Sequence, residues 1–153
     1  MPEHDLNVAS TSDEEIGRDL SNFGDFPFYY GKRPIRYRSV ESFYQALTQS
    51  DEKLRKTIAK LTGKEAKRAG NSQSSETKFD GTTYVLGSPE HHALVQDAIR
   101  EQLKQNPDLT ARFVATRPRP LVHITAGDDS KRLPAAVFCR MLMELREEFA
   151  NRK

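Results

Sequence analysis

The chain has 153 residues, with 24 basic and 22 acidic side chains and a formal net charge of +2. This length predicts one domain with a real core, and the small net charge argues against a nucleic-acid binder that is basic throughout. The longest apolar runs are only a few residues, and the acidic N-terminus lacks the pattern of a signal peptide. We therefore expect no membrane segment and an intracellular protein, cytoplasmic or nuclear. The single cysteine, Cys139, cannot form an internal disulfide, and we expect it to be buried.

The first part of the chain contains many acids and few apolar side chains. We predict a disordered tail over residues 1–15 and a folded domain over residues 16–153. Aromatic segments then flank the basic turn Gly31–Pro34. This pattern predicts a hairpin of two short strands, Phe26–Tyr30 and Ile35–Tyr37.

The next segment carries apolar residues at the i, i+3, i+4 and i+7 spacing of one helix face, which predicts a helix over Ser39–Gln49. Two serines are possible N-caps. Ser42 would form a capping box with Gln45, whereas Ser39 would leave Glu41 in the first turn, where the helix dipole favours negative charge.

The remaining elements are predicted from caps, apolar stripes and turn residues. In chain order they are a helix from Asp51 ending at Thr62–Gly63, a helix over Lys64–Ala69 with a Thr62/Glu65 capping box, a loop over Asn71–Gly81, an extended segment at Thr83–Leu86, helices over Pro89–Gln105 and Leu109–Ala115, a strand at Leu121–Thr125 and a helix over Pro134–Ala150. These elements predict an α+β fold, a predominantly helical single compact domain with a few short strands.

Several common functional motifs are missing from the sequence. Glycine-rich phosphate loops, G-x-S-x-G elbows and paired C-x-x-C ligands do not occur, so nucleotide-triphosphate enzymes, serine hydrolases and zinc modules are not first choices. His91 and His92 are adjacent, whereas His4 and His123 lie far away along the chain. We therefore predict neither a metal site nor a cofactor.

Basic side chains are concentrated in two clusters. One is the run from Lys53 to Arg68, which has seven basic residues against the single acid Glu65; the other consists of Lys32, Arg33, Arg36 and Arg38. Such clusters can hold phosphates, although a solvated helix face is the commoner explanation for a charge run.

Six segments occur in the order found in the NADAR family, which the chain resembles over about Ile16 to Phe149. They are Leu20-Ser-Asn-Phe23, Ser39-Val-Glu-Ser-Phe-Tyr-Gln-Ala46, Ala66-Lys-Arg-Ala-Gly70, Gln105-Asn-Pro107 with Leu109, Leu121-Val122 and Leu142-Met-Glu-Leu-Arg146. The most specific part is S-V-E-x-x-Y-Q-A followed by A-K-x-x-G about twenty residues later. The resemblance implies a mostly helical α+β domain of N-glycosidases. Some members cleave riboflavin-pathway intermediates, and others remove ADP-ribose from guanine bases.

The chain departs from the family pattern after the Leu121-Val122 strand. The family usually has D-x-x-W-G there, whereas this chain has D-D-S-K-R over Asp128–Arg132 and contains no tryptophan. Asp128 is the preferred site aspartate, with Asp129 as the alternative. A second family tryptophan would align near Gly87, and Tyr84 is the closest aromatic replacement.

The resemblance also implies roles for individual residues. Glu41 is the candidate acid/base, because an apolar setting beside Tyr44 would raise the pKa of its carboxyl group. Lys67 would form a Schiff base with the opened ribose or contact a phosphate, and Asp128 would stabilise positive charge or orient a sugar hydroxyl. The implied ligand contacts are Asn22, Phe23, Arg33, Tyr44, Gln45, Gly70 and Tyr84, with Phe23 or Tyr44 stacking on a base.

Because two basic clusters flank Glu41 in the sequence, we predict removal of ADP-ribose from guanine bases of nucleic acid. ADP-ribose or ADP-ribosylated nucleic acid would be the partner, acting as substrate, and a monomer is the simplest expectation. The alternatives are an N-glycosidase of phosphoribosyl-amine intermediates of riboflavin synthesis, a non-catalytic ADP-ribose-binding module and a purely structural interaction domain.

Overall fold

A computed structural model describes residues 4–70, 74–125, 127 and 129–152. The elements in chain order are β1 (Leu6–Asn7), α1 (Glu15–Leu20), β2 (Phe28–Tyr30), β3 (Ile35–Tyr37), α2 (Val40–Leu47), α3 (Glu52–Ala59), α4 (Gly63–Ala69), β4 (Glu76–Phe79), β5 (Thr82–Val85), α5 (Pro89–Gln105), α6 (Pro107–Val114), β6 (Leu121–Val122) and α7 (Ala135–Ala150). The predicted fold class, a mostly helical α+β domain with short strands, is confirmed.

The N-terminal segment is packed into the domain from β1 onward. Leu6 lies opposite Leu121 in a parallel pair, and the Val8 amide donates to the Val122 carbonyl at 2.8 Å. Leu6 and Val8 are fully buried. The predicted disordered tail over residues 1–15 is therefore wrong for this segment, because its few apolar side chains pair with a strand more than one hundred residues away.

Two hairpins form the other sheets. The β2–β3 hairpin is antiparallel, as predicted, and Tyr30 lies opposite Ile35 across its basic turn. The β4–β5 hairpin was not predicted, and its first strand occupies part of the segment that we interpreted as a loop over Asn71–Gly81. Its turn residues Asp80 and Gly81 both have positive φ, 49° and 83°. Asp-Gly is a strong two-residue hairpin signal, and the sequence analysis did not use it. Residues 71–73 lie outside the described residues.

Helix starts agree closely with the local signals. Ser39 is the N-cap of α2, because its Oγ accepts from the Ser42 amide at 3.1 Å, so the Ser39 alternative is correct and the Ser42 alternative is wrong. Ser42 Oγ instead donates to the Leu61 carbonyl at 2.8 Å. The Thr62/Glu65 capping box of α4 is also present.

The core is formed by the predicted apolar faces of α2, α5 and α7. Phe43, Val95 and Leu145 are fully buried, and Cys139 is buried as expected. Leu54 is an exception, since its side chain is 38% exposed despite its place on the predicted stripe of α3. Helix α2 lies centrally and contacts α3, α4 and α5, which positions its first turn within the domain. In the described part of the chain, no helix is both long and apolar enough to cross a membrane.

Candidate active site

Glu41 is buried in the first turn of α2, with its residue only 6% exposed. The Glu41 amide donates to the Asn22 carbonyl at 2.9 Å, which ties this turn to the segment before the first hairpin. The Gln45 Nε2 atom donates to Glu41 Oε1 at 2.7 Å, one helical turn away. Burial raises the pKa of the Glu41 carboxyl group, while the Gln45 hydrogen bond and the positive charge of Lys67 oppose that rise.

A cavity of about 700 Å³ lies against Glu41, and we call it the Glu41 cavity. Its walls come from the segment after β1, the segment before β2, helices α2 and α4, and the chain from β6 into α7. The lining residues are Ser10, Thr11, Ser21, Asn22, Phe23, Glu41, Tyr44, Gln45, Lys67, His123, Ile124, Thr125, Gly127, Asp129, Ser130, Leu133, Ala135 and Phe138. Its volume falls in the range of ordinary ligand sites.

Six of the residues predicted for the site line this one cavity. Glu41 and Lys67 are the two catalytic candidates among them, and Asn22, Phe23, Tyr44 and Gln45 are the ligand contacts. Lys67 is exposed, and its Nζ atom lies 5.7 Å from the centre of the Phe23 ring. The structure therefore brings a buried carboxyl group, an amine and two aromatic rings into a single space.

Gly70 lies behind Gln45 and does not line the cavity. A Cβ atom at position 70 would be only 1.9 Å from Gln45 Oε1 and 2.8 Å from Gln45 Cβ. Contacts this short are not possible, so a side chain at position 70 would displace Gln45. Gly70 therefore leaves room for the Gln45 side chain that holds the Glu41 carboxyl group.

The structure describes only one of the two candidate aspartates. Asp128 lies outside the described residues. Asp129 lines the cavity, and its Oδ1 accepts a hydrogen bond from the Ala135 amide at 2.8 Å, at the start of α7. Within the described ranges, no cluster of three or more His, Cys, Asp or Glu side chains is arranged to hold a metal ion.

Arg33 and Tyr84 lie away from the Glu41 cavity. Arg33 is exposed on the β2–β3 turn, where it lines another cavity together with Lys32 and Lys78. Tyr84 lies on β5, is partly buried and packs against the core. Arg33 was predicted because it lies close to Glu41 along the chain, but in the structure the hairpin places it at a different cavity.

His123 also lines the Glu41 cavity, although it was not predicted as a site residue. Its Nδ1 atom donates to the Val8 carbonyl at 2.6 Å, and its ring meets Phe138 edge-on at 5.4 Å between centres. With Nδ1 donating, the neutral ring carries its acceptor on Nε2. The only signal in the sequence was a histidine directly after the Leu121-Val122 strand, and its neighbour Val8 comes from the segment that we predicted to be disordered.

His91 supports the cavity wall from behind Tyr44. It is fully buried, its ring centre lies 5.5 Å from that of Tyr44, and its Nδ1 atom accepts from the Gly87 amide at 3.0 Å. Burial, together with the nearby His92 and Arg132 charges, lowers the pKa of His91 to about 4. His91 is therefore a neutral packing partner of Tyr44 at physiological pH.

Comparison with known proteins identifies the family. The family described as bacteriophage protein GP30.3 matches residues 15–147. The chain belongs to this family. Two proteins named N-glycosidase YbiA, from Shigella boydii serotype 4 (strain Sb227) and Escherichia coli (strain K12), are each 28% identical to this chain over 154 residues, covering 97% of this chain and 90% of theirs.

A solved structure extends the likeness from sequence to fold. The NMR structure of the E. coli protein YbiA superposes on this GP30.3-family chain with a TM-score of 0.73 and 27% identity, covering 98% of this chain and 87% of that chain. These matches agree with the NADAR resemblance of the motifs. They also confirm the predicted enzyme class, a hydrolase acting on N-glycosyl bonds.

Proposed function

We propose that this protein is an N-glycosidase that removes ADP-ribose from guanine bases of nucleic acid. The observation that carries the proposal is the buried Glu41 carboxyl group in the wall of a cavity of about 700 Å³. The relatives named N-glycosidase support the reaction class. Two features favour this substrate: the positive charge of Lys67 and the unpaired hydrogen-bond acceptor of Asn22.

Glu41 has the properties that bond cleavage requires of an acid. When the bond between the anomeric carbon and the base nitrogen breaks, its electron pair goes to nitrogen, which must then gain a proton. Burial keeps the Glu41 carboxyl group protonated closer to neutral pH than an exposed glutamate, because its pKa is raised. Gln45 binds Oε1, so Oε2 is the oxygen left to deliver the proton. Water supplies the hydroxyl group that the anomeric carbon gains, and the proton that this water loses restores the Glu41 carboxyl group.

Lys67 and the aspartates would handle charge on the sugar side. The Lys67 amine lies on the cavity wall, where it can attract a diphosphate or condense with the aldehyde of an opened ribose. In our proposal a carboxylate from the segment before α7, Asp128 or Asp129, stabilises the cation that develops at the anomeric carbon. These roles act on the diphosphate and the ribose and leave base recognition to other residues.

Asn22 supports a base that carries hydrogen-bond donors. Its Oδ1 atom is buried and has no hydrogen-bond partner among the described residues. A buried acceptor without a partner costs free energy, which a ligand donor would recover. Guanine offers an amino group and a ring N–H, and the Phe23 and Tyr44 rings provide faces for stacking.

A second candidate substrate is the phosphoribosyl-amine pyrimidine of riboflavin synthesis. The observation that favours it is the position of Arg33, which belongs to the basic cluster expected around the site but lines a different cavity. A small metabolite with one phosphate would need only Lys67. The two candidates share the bond type and the role of Glu41, so only the substrate separates them.

The test uses a single-stranded oligonucleotide carrying ADP-ribose on guanine, incubated with the wild-type protein and with the Glu41→Gln variant. Mass spectrometry should detect free ADP-ribose and restored guanine with the wild-type protein only. Faster cleavage of the phosphoribosyl-amine pyrimidine, with no release of ADP-ribose, would assign the metabolite instead. If calorimetry detects binding of ADP-ribose but neither substrate is cleaved, the protein is a non-catalytic binding module.

A further inference from the structure

A second groove, of about 740 Å³, lies between the outer face of the β2–β3 hairpin and α3, and we call it the hairpin groove. Basic, aromatic and proline side chains dominate its lining. The charged and aromatic lining residues are Asp25, Tyr29, Arg36, Arg38, Lys56 and Lys60. None of them lines the Glu41 cavity.

The hairpin contributes an exposed aromatic ring beside a guanidinium group. Tyr29 is 56% exposed and lies directly opposite Arg36 in the antiparallel pair. The Tyr29 amide donates to Gln105 Oε1 at 2.7 Å, and the Tyr29 carbonyl accepts from Gln105 Nε2 at 2.9 Å. Because these backbone groups face Gln105, Tyr29 and Arg36 form a pair without mutual hydrogen bonds, in which side chains lie closest. Tyr29 is thus a fixed platform with a positive charge next to it.

Helix α3 contributes the opposite wall and two further charges. Lys56 and Lys60 are exposed and one helical turn apart, so they lie on the same face of the helix. The groove's single acid, Asp25, is paired with Arg38 at 3.0 Å. Within the described ranges, Arg36, Lys56 and Lys60 form no ion pair, which leaves the groove with three uncompensated positive charges.

The groove and the Glu41 cavity share a short segment of chain. Phe23 lines the cavity, and Asp25 lines the groove. The Cα atoms of residues two apart are separated by at most about 7 Å. The walls of the groove and of the cavity therefore come within about 7 Å of each other at this segment, a separation that a few nucleotides of a strand can span.

We propose that the hairpin groove binds single-stranded nucleic acid, with phosphates on Arg36, Lys56 and Lys60 and a base stacked on Tyr29. A cationic groove with an exposed aromatic platform is the combination that recognises single strands without sequence preference. Binding in the groove does not depend on the reaction, but delivery of the modified base to Glu41 rests on the proposed function.

The test is fluorescence anisotropy with labelled, unmodified oligothymidylate over a series of salt concentrations. Tyr29→Ala should weaken binding roughly tenfold, and Tyr29→Phe, which keeps the ring, should bind as wild type. In the double variant Lys56→Gln/Lys60→Gln, the fall of log affinity with log salt should become less steep, by about 1.4 in slope. Arg140→Gln removes an exposed charge of α7 outside the groove and should change neither quantity.

A parallel assay follows cleavage of ADP-ribosyl-guanosine, which has no oligonucleotide strand to occupy the groove, in the same variants. If the nucleoside is cleaved but oligothymidylate does not bind, the groove proposal fails and the proposed function stands. Oligothymidylate binding that depends on Tyr29, without cleavage, supports the groove and overturns the proposed function. Equal competition by polyglutamate, together with normal binding by Tyr29→Ala, would overturn the proposal in favour of an acidic polypeptide. Binding to phosphatidylserine vesicles but not to oligothymidylate would assign the groove to membranes.

Discussion

The Glu41 cavity and the hairpin groove have similar volumes, about 700 and 740 Å³, but opposite relations to water. The cavity holds a carboxyl group whose residue is only 6% exposed, whereas the groove presents exposed lysines. Burial changes the proton affinity of an acid, which is what a general acid needs. Exposed cations keep their charge and attract phosphates in a way that salt screens. Solvation, and not size, separates a site for chemistry from a surface for binding.

This difference begins with where each side chain lies on its helix. The Ser39 cap starts α2 so that Glu41 falls in the first turn, held by Asn22 and Gln45. On α3, only Ile58 and Ala59 are buried, and the lysines occupy the solvent face.

Glu41→Gln should lower turnover roughly a hundredfold or more, because it removes the proton donor while keeping shape and hydrogen bonding. Affinity for ADP-ribose, measured by calorimetry, should change little. Glu90→Gln, a change at an exposed acid in the first turn of α5, is the matched control and should keep wild-type activity. Turnover of Glu41→Gln within a few-fold of wild type would rule out Glu41 as the acid.

Borohydride added during turnover should trap a sugar adduct on Lys67, because reduction turns a reversible imine into a stable amine. Peptide mass mapping would locate the adduct. Lys67→Arg keeps the positive charge but cannot form the imine, so we expect it to lose turnover and adduct together. Full activity in that variant would leave Lys67 with only a phosphate-binding role.

Gly70→Ala should reduce kcat roughly tenfold, because the new Cβ would collide with Gln45 and release its hold on Glu41. The backbone at position 70 has φ of −80°, which alanine adopts without strain, so the fold should persist. Circular dichroism would check the fold. An unchanged kcat would show that the position of Gln45 is not needed for the reaction.

Arg36→Gln should make the fall of log oligonucleotide affinity with log salt less steep by about 0.7, the contribution of one phosphate contact to a single strand. Arg33→Gln is the matched control, because Arg33 lies on the same hairpin but lines a different cavity. We expect the slope to be unchanged in that variant. Equal effects from the two substitutions would show that binding follows overall charge and not the hairpin groove.

Glu41 should also make the folded protein less stable as pH rises. Its pKa is raised in the folded state, so above the ordinary value of 4.5 the folded state holds more protons than the unfolded chain. The free energy of unfolding therefore falls as pH increases through the raised pKa. Glu41→Gln removes this loss, and its Tm should exceed that of wild type by more at pH 8 than at pH 4. Calorimetric Tm values that differ equally at both pH values would contradict a buried, titrating carboxyl group.

Local signals were enough to predict several elements closely. Helix α5 spans Pro89–Gln105 as predicted, because the Ser88 cap, the following proline and the apolar spacing all act within the segment. The same holds for α4 and its capping box. The β4 strand was not predicted, although Asp80-Gly81 is a local signal for its hairpin. This strand could therefore have been predicted from the sequence.

The helix caps, the apolar faces and the place of Glu41 in the first turn of α2 could be predicted without a structure, because they depend on contacts between residues a few positions apart. The packing of distant segments, in contrast, pairs Leu6 with Leu121, holds His123 in the cavity wall through the Val8 carbonyl, and places Arg33 at a cavity other than that of Glu41. Those outcomes depend on which distant segments exclude water from each other, and composition or spacing within one segment does not encode that choice.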